Sequence, residues 1–246
     1  MFHPDFTMDR SIVTHFYFFL IAVASTALFS CGDDEVIPTD SSTGYTYFPL
    51  KQSSWIIYDV DSIVHLDNDD AFGQDTSVER YDFQIREIID SSFIDGEQDT
   101  AWRVSRYKRL NDSLPWEFQN VWVSKRTLVN AQRVENNIRF VKLAFPPTLR
   151  ATWNGNAYNY FPSEEYFYDN IHTPLQLQGL TFDSTLTVIQ NDFQSNVNRI
   201  VKKEKYAAGV GLIEKDLDSL RLTINFGGLL ILNGLEYSQK INSFGQ

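Results

Sequence analysis

Alternation of apolar and polar residues with a period of two runs through most of the chain from Tyr45 onward. In the segment VERYDFQIREII, residues 78–89, the side chains of Tyr81, Phe83, Ile85 and Ile89 alternate with polar ones. Because successive side chains of a strand point to opposite faces, this pattern predicts an antiparallel strand with one buried face. The segment 53–66 shows the same spacing, with one face formed by Ile56, Tyr58, Val60, Val64 and Leu66.

Similar segments follow one another to the end of the chain, separated by residues that favour turns. The turn candidates are Asp95-Gly96, residues 111–115, Asn136-Asn137 and Asn154-Gly155. No segment carries a sustained apolar stripe at helical spacing, and only 163–171 and 191–200 are candidates for a short helical turn. The sequence therefore predicts an all-β fold of about ten to twelve mostly antiparallel strands. The sheet is expected to form a half-barrel, a sandwich or another curved sheet, with at most one or two short helices.

Composition supports a single β-rich domain over residues 45–246. Hydrophobic residues make up 43% and aromatic residues 15% of the 246-residue chain, which is ample for a packed core. The formal net charge of −11 and the pI near 4.7 argue against nucleic acid as a partner. The two basic segments, 103–109 and 199–205, are expected to direct their charges to a solvated strand face.

The first thirty residues have the pattern of an exported protein. Arg10 precedes the apolar run 16–29, which suits a signal peptide and is short for a membrane span of about 20 residues. Translation from Met8 instead of Met1 gives the more usual short start of such a signal. The run ends in LFSC, residues 28–31, which resembles the bacterial lipobox. This resemblance implies that residues 1–30 form a lipoprotein signal peptide and that Cys31, the only cysteine, is lipidated after cleavage.

Residues 31–44 are expected to be an acidic, flexible tether between the lipid and the domain. The acids of GDDE, residues 32–35, resemble the tract that directs lipoproteins to the cell surface in one Gram-negative phylum. The predicted location is the outer membrane, with the cell surface preferred over the periplasmic face. The membrane is then a partner through acyl chains on Cys31, palmitate being a typical one.

Three longer motifs resemble signatures of a family of bacterial cell-envelope lipoproteins that has no assigned activity. They lie at 47–64, starting YFPL and including Trp55 and Tyr58, at 152–159, TWNGNAYN, and at 206–215, starting YAAGVGL. At the level of fold, the family is similar to the curved antiparallel sheet of LolA-like lipoprotein carriers. Gly209 and Gly211 are expected to form a bulge or a sharp bend rather than a phosphate-binding loop.

No motif for catalysis, for a metal or for another cofactor stands out. His65 and His172 lack metal-ligand spacing, the acidic segment 67–75 departs from the calcium-loop pattern, and Glu164 and Glu165 alternate faces in a strand. The chain is therefore expected to be a non-enzymatic binding or envelope-assembly module, with a hydrophobic ligand or an envelope protein as its partner. The alternative is a surface hydrolase of polysaccharide whose carboxylates converge only in the folded state. The sequence leaves open whether the protein is an enzyme.

Overall fold

The structure, a computed structural model, describes residues 43–66, 77–225 and 228–245. They belong to the larger of two compact units, Pro38–Gln246. The predicted signal peptide, Cys31 and the acidic segment 67–75 lie outside the described residues, as does the predicted tether except for Thr43 and Gly44.

Twelve antiparallel strands follow one another along the chain and form one sheet. They are β1 Trp55–His65, β2 Val78–Ile94, β3 Thr100–Arg109, β4 Glu117–Arg126, β5 Asn130–Glu135, β6 Ile138–Ala144, β7 Thr152–Asn154, β8 Glu165–Leu177, β9 Leu180–Gln194, β10 Asn198–Ala207, β11 Gly211–Asn225 and β12 Gly228–Gly245. Their order in the sheet is β6-β5-β4-β3-β2-β1-β12-β11-β10-β9-β8-β7. The first and last strands therefore pair at the middle of the sheet, and β6 and β7 form its edges.

The two edges lie next to each other, which makes the sheet a nearly closed barrel. The Val141 N–H donates to the Gly155 carbonyl at 2.9 Å, and the Trp153 indole N–H donates back to the Val141 carbonyl at 3.0 Å. The Asn159 amide adds a bond of 2.9 Å to the Arg139 carbonyl. These hydrogen bonds satisfy backbone N–H and carbonyl groups that an open sheet edge would leave unpaired. The prediction of an all-β fold with a curved antiparallel sheet is confirmed.

Among the secondary-structure elements of the described residues, one is helical: the 3₁₀ turn Tyr45–Tyr47. The candidate helical turns at 163–171 and 191–200 were wrong, because both segments belong largely to strands β8, β9 and β10. Within the described residues, no helix has the length and apolar character needed to cross a membrane.

The alternation predicted the inward faces correctly over the middle of the strands. Tyr58, Val60 and Ile85 are buried as expected, and Ser62 continues the buried face of β1. Tyr81 is exposed, contrary to expectation, because β2 pairs with β3 only from Gln84 onward. The expectation for the basic segments holds for the exposed Arg103, but it was wrong for Arg106, which is largely buried.

The barrel has two distinct ends, because neighbouring strands of the meander run in opposite directions. We call the end with the turns β2–β3, β4–β5, β8–β9 and β10–β11 the tether end, since the described chain also begins there. The end with the turns β3–β4, β5–β6, β7–β8 and β9–β10 is the far end.

Two of the resembling motifs meet at the tether end. Tyr47 and Phe48 belong to a buried cluster with Tyr206 and Leu212, together with residues of β5, β6, β8 and β9. The Gly209 N–H donates to the Thr46 carbonyl at 2.8 Å. Gly209 and Gly211 have φ of 77° and 101°, and the β10–β11 pairing carries a bulge at Lys205/Tyr206. The predicted bend is confirmed, and the segment 45–50 packs into this end of the barrel.

Candidate functional site

A cavity of about 570 Å³ lies toward the far end of the barrel. Its walls come from β5, β6, β8, β9, β10 and β11 and from residues 156 and 161–164 between β7 and β8. Charged side chains of opposite sign line it together with aromatic and amide side chains. It is the candidate functional site because it brings together residues that are far apart in the sequence.

Strand β10 shows how the sequence places charges in this cavity. Lys202, Glu204 and Tyr206 share the inward face at every second position, and Glu204 is opposite Lys215 of β11. The intervening residue Lys203 is opposite Asp216 and lies 3.5 Å from its carboxylate. Adjacent residues of one strand therefore carry ion pairs on opposite faces of the sheet.

The deepest charged group of the cavity is a buried cluster centred on Lys142. Its ammonium lies 2.8 Å from a carboxylate oxygen of Glu135 and 2.7 Å from one of Glu204. Lys215 is farther from the same two carboxylates, at 3.6 and 3.7 Å. The Tyr206 hydroxyl donates to the other oxygen of Glu204 at 2.6 Å. The cluster thus joins β5, β6, β10 and β11 across the inside of the barrel.

The pKa values show that this cluster is ionised at neutral pH. Burial acts to raise the pKa of Glu135, but the charges of Lys142 and Lys215 outweigh it and hold that pKa well below its ordinary value. The same balance lowers the pKa of Glu204. Burial acts to lower the pKa of Lys142, and its two carboxylate neighbours raise it instead. Both carboxylates are therefore acceptors at neutral pH, not proton donors.

A second buried charge cluster lies toward the tether end of the barrel, with Glu87 of β2 at its centre. Arg106 and Arg133 bond to its two carboxylate oxygens at 3.0 and 3.1 Å. The Arg106 guanidinium also stacks on the Trp122 ring at 3.6 Å, a favourable cation–π distance. Two guanidinium groups around one carboxylate leave a surplus positive charge. Burial acts to lower the pKa of Arg133, and nearby negative charges, those of Glu87 and Glu135 among them, raise it instead.

The surface that a ligand meets in the cavity is richer in donors than in free acceptors. Lys202 and Lys215 have side chains 34% and 25% exposed, whereas those of Glu135 and Glu204 are 14% and 1% exposed. Glu164 accepts a bond of 2.9 Å from Lys202 and another of 2.9 Å from the Asn191 amide. Gln190, buried beside them, has an amide nitrogen without a hydrogen-bond partner.

Aromatic rings lie beside these polar groups. Phe140 and Phe161 are stacked with their centroids 6.5 Å apart and an interplanar angle of 25°. The connection between β7 and β8 positions Phe161, whose N–H donates to the Asn159 side chain at 2.9 Å. Gly155 lies directly against the Tyr166 ring, another wall of the cavity. The third resembling motif, 152–159, thus builds both the barrel seam and part of the cavity rim.

The residues considered in the sequence analysis lie apart from one another. His65 pairs with Glu236 at 2.6 Å, and the Nδ1 of His172 hydrogen-bonds the Tyr47 hydroxyl at 2.8 Å. Glu164 lies in the cavity and Glu165 is exposed, as alternation predicted.

Among the described residues, one group has metal-ligand spacing: Asp95, Glu97 and Asp99 in the β2–β3 turn. The Lys125 ammonium lies 2.8, 2.6 and 2.7 Å from their carboxylates. A lysine therefore neutralises this acidic group, and its position is the one that a bound cation would need.

The buried charges of the cavity were missed by the sequence reasoning. Alternation placed apolar residues inward but gave no reason for Glu87 to lie between Ile85 and Ile89 on a buried face. A signal existed in β10, where Lys202 and Glu204 occupy the same alternating positions as Tyr206.

Comparisons with protein-family models, curated proteins and solved structures found no match. The resemblance to envelope lipoproteins and the fold-level resemblance to LolA-like carriers stay predictions.

Proposed function

We propose that the protein is an outer-membrane lipoprotein, anchored through Cys31, whose barrel binds a ligand at its far end without catalysing a reaction. The observation that carries the binding role is the cavity in which both lining glutamates are paired with a lysine. Glu135 pairs with Lys142 and Glu164 with Lys202, at 2.8 and 2.9 Å.

The tether end has features suited to a nearby membrane. Cys31 lies about a dozen residues before the described chain, a stretch that reaches at most roughly 40 Å when extended. Leu128 and Val129 of the β4–β5 turn are 81% and 63% exposed. The Tyr45 hydroxyl donates to the Leu128 carbonyl at 3.0 Å, so this turn borders the start of the described chain. Two exposed aliphatic side chains at a turn are suited to contact with lipid.

The cavity chemistry favours binding over hydrolysis. A glycosidase needs one carboxyl group with a raised pKa as the acid and a second one as base or nucleophile. Glu135 and Glu204 have lowered pKa values, and Glu164 is bonded to Lys202 and Asn191. The release of new reducing ends from a polysaccharide, abolished by Glu164→Gln, would establish the hydrolase instead. The charged lining also favours a polar ligand over the hydrophobic one that the strand aromatics suggested.

Anchoring is tested by Cys31→Ser in the native host, with Ser41→Ala in the tether as the matched control. We expect the wild type and the control to partition into the detergent phase and the Cys31→Ser protein to stay in the aqueous phase, because it cannot receive acyl chains. A Cys31→Ser protein that still fractionates with detergent and matures normally would contradict the anchor. Protease treatment of intact cells then distinguishes the cell surface from the periplasmic face of the outer membrane. We expect the protein to be degraded, because the proposal places it at the cell surface.

A further inference from the structure

We propose that the far-end cavity binds an anionic hexose, a sugar that bears a carboxylate or a phosphate. The inference rests on the proposed binding function and names its ligand class. In this proposal Lys215, Lys202 and Gln190 bind the acidic and hydroxyl groups of the sugar. Phe140 and Phe161 contact the face of its ring.

The charge distribution selects an anion. The negative groups of the Lys142 cluster are nearly inaccessible, since Glu204 and Glu135 are 1% and 14% exposed. The Lys215 ammonium is partly exposed and lies 3.6 Å or more from these carboxylates, beyond the usual range of a direct hydrogen bond. It keeps donor capacity for a ligand, and a carboxylate or phosphate oxygen is its strongest acceptor.

An unpartnered amide supplies the second observation. Gln190 is 7% exposed, lines the cavity and has an Nε2 group without a hydrogen-bond partner. A buried amide donor left unpaired destabilises the folded state, and a turn of this side chain toward the cavity would let a ligand oxygen remove that penalty. Gln190 also lies in an irregular part of β9, where the pairing with β10 shifts register between Lys202 and Lys203. Such shifts often re-aim a side chain near a binding site.

The remaining lining matches a hydroxylated ring. Asn156, Ser163 and Asn191 add neutral hydrogen-bonding side chains. Phe140 and Phe161 add aromatic surface at the same cavity. A volume of about 570 Å³ lies within the ordinary range of small-molecule sites. One ring with several hydroxyl groups and one acidic group uses all three kinds of lining.

The test is isothermal titration of the full-length protein, solubilised in detergent, with four probes. They are glucuronate, glucose 6-phosphate, glucose as the neutral match, and acetate as an anion without a ring. We expect saturable binding of at least one anionic sugar, with glucose and acetate at least about tenfold weaker, since a charge-assisted hydrogen bond contributes about this factor. The order of glucuronate and glucose 6-phosphate tells whether the acidic group is a carboxylate or a phosphate.

Two variants connect the binding to these residues. Lys215→Met is expected to weaken the anionic sugar about tenfold. Lys240→Met, the control, removes an exposed lysine of β12 that does not line the cavity, and it is expected to leave this binding unchanged. Gln190→Leu is expected to weaken binding while the melting temperature stays equal or rises, because the variant removes a buried unpaired amide. A purely structural Gln190 would lower stability and leave the affinity alone.

The inference is overturned if glucose or acetate binds as tightly as the anionic sugars, or if neither anionic sugar saturates up to about 10 mM. It is also overturned if Lys240→Met weakens binding as much as Lys215→Met does. If glucose bound as tightly as the anionic sugars, the proposed binding function would stand and only the anionic ligand class would be wrong. Turnover of a sugar polymer would instead contradict the proposed function itself.

Discussion

Lys142 lies between two carboxylates that burial alone would drive to the neutral form. Its ammonium, with that of Lys215 nearby, keeps Glu135 and Glu204 ionised inside the barrel. The sequence predicted which positions face inward, because alternation depends only on neighbouring residues. It could not predict these ion pairs, since Lys142 and Glu204 are 62 positions apart and meet only in the folded barrel. The apolar part of the core was therefore predictable from the sequence, and the charged part was not.

Lys142→Met is expected to destabilise the protein by about 3–5 kcal/mol at pH 7, because it leaves buried carboxylates without their closest partner. Lys203→Met, at a more exposed pair, is expected to cost about 1 kcal/mol or less. The measurement is urea unfolding followed by circular dichroism. Equal losses in the two variants would contradict the central place of Lys142.

The pH dependence gives a second signature of the same cluster. A carboxyl with a lower pKa in the folded state stabilises the fold above its unfolded pKa of about 4.3, and this contribution is lost as the pH falls through the folded value. Wild-type stability should therefore decrease below about pH 5. In Lys142→Met, burial with less compensation raises the carboxyl pKa values, so its deficit relative to wild type should shrink as the pH falls. A deficit that is constant with pH would rule out this electrostatic origin.

The turns between strands were predictable from the sequence, whereas the closure of the sheet was not. The turn candidates Asp95-Gly96 and Asn136-Asn137 do connect β2 to β3 and β5 to β6, and both asparagines have positive φ, at 51° and 67°. Local turn chemistry was therefore sufficient to predict where strands end. The seam was not predictable, because it depends on a short strand, β7, and on bonds between Val141 and Gly155 that no local pattern encodes.

Gly155→Ala tests the seam. A Cβ at this position would lie 2.2 Å from the Tyr166 ring, and the ring is packed in the buried core. We expect a loss of about 1–3 kcal/mol from overpacking. Gly96→Ala is the matched control, since a Cβ there meets no atom within 4 Å, and its effect should be within about 0.5 kcal/mol. Chemical unfolding compares the two, and an unaffected Gly155→Ala would contradict the close packing at the seam.

The charged cavity and the start of the described chain lie toward opposite ends of the barrel. At the tether end, residues 45–50 pack into the barrel, and the turn with the exposed Leu128 and Val129 borders the start of the described chain. The charged cavity lies toward the far end. We propose that the first end faces the membrane and the second faces away from it. The sequence predicted the all-β body, but the position of the cavity depends on how the strands close into a barrel.

One measurement tests this account most directly: nitroxide accessibility on the lipidated protein in vesicles, with labels placed by Leu128→Cys at the tether end and Val197→Cys at the far end. Acylation of Cys31 leaves the introduced thiol as the one that reacts with the label. The account predicts that the label at 128 is more accessible to oxygen in the bilayer, and that the label at 197 is more accessible to a water-soluble nickel reagent. Equal accessibilities, or the reverse order, would contradict an anchored barrel whose cavity faces away from the membrane.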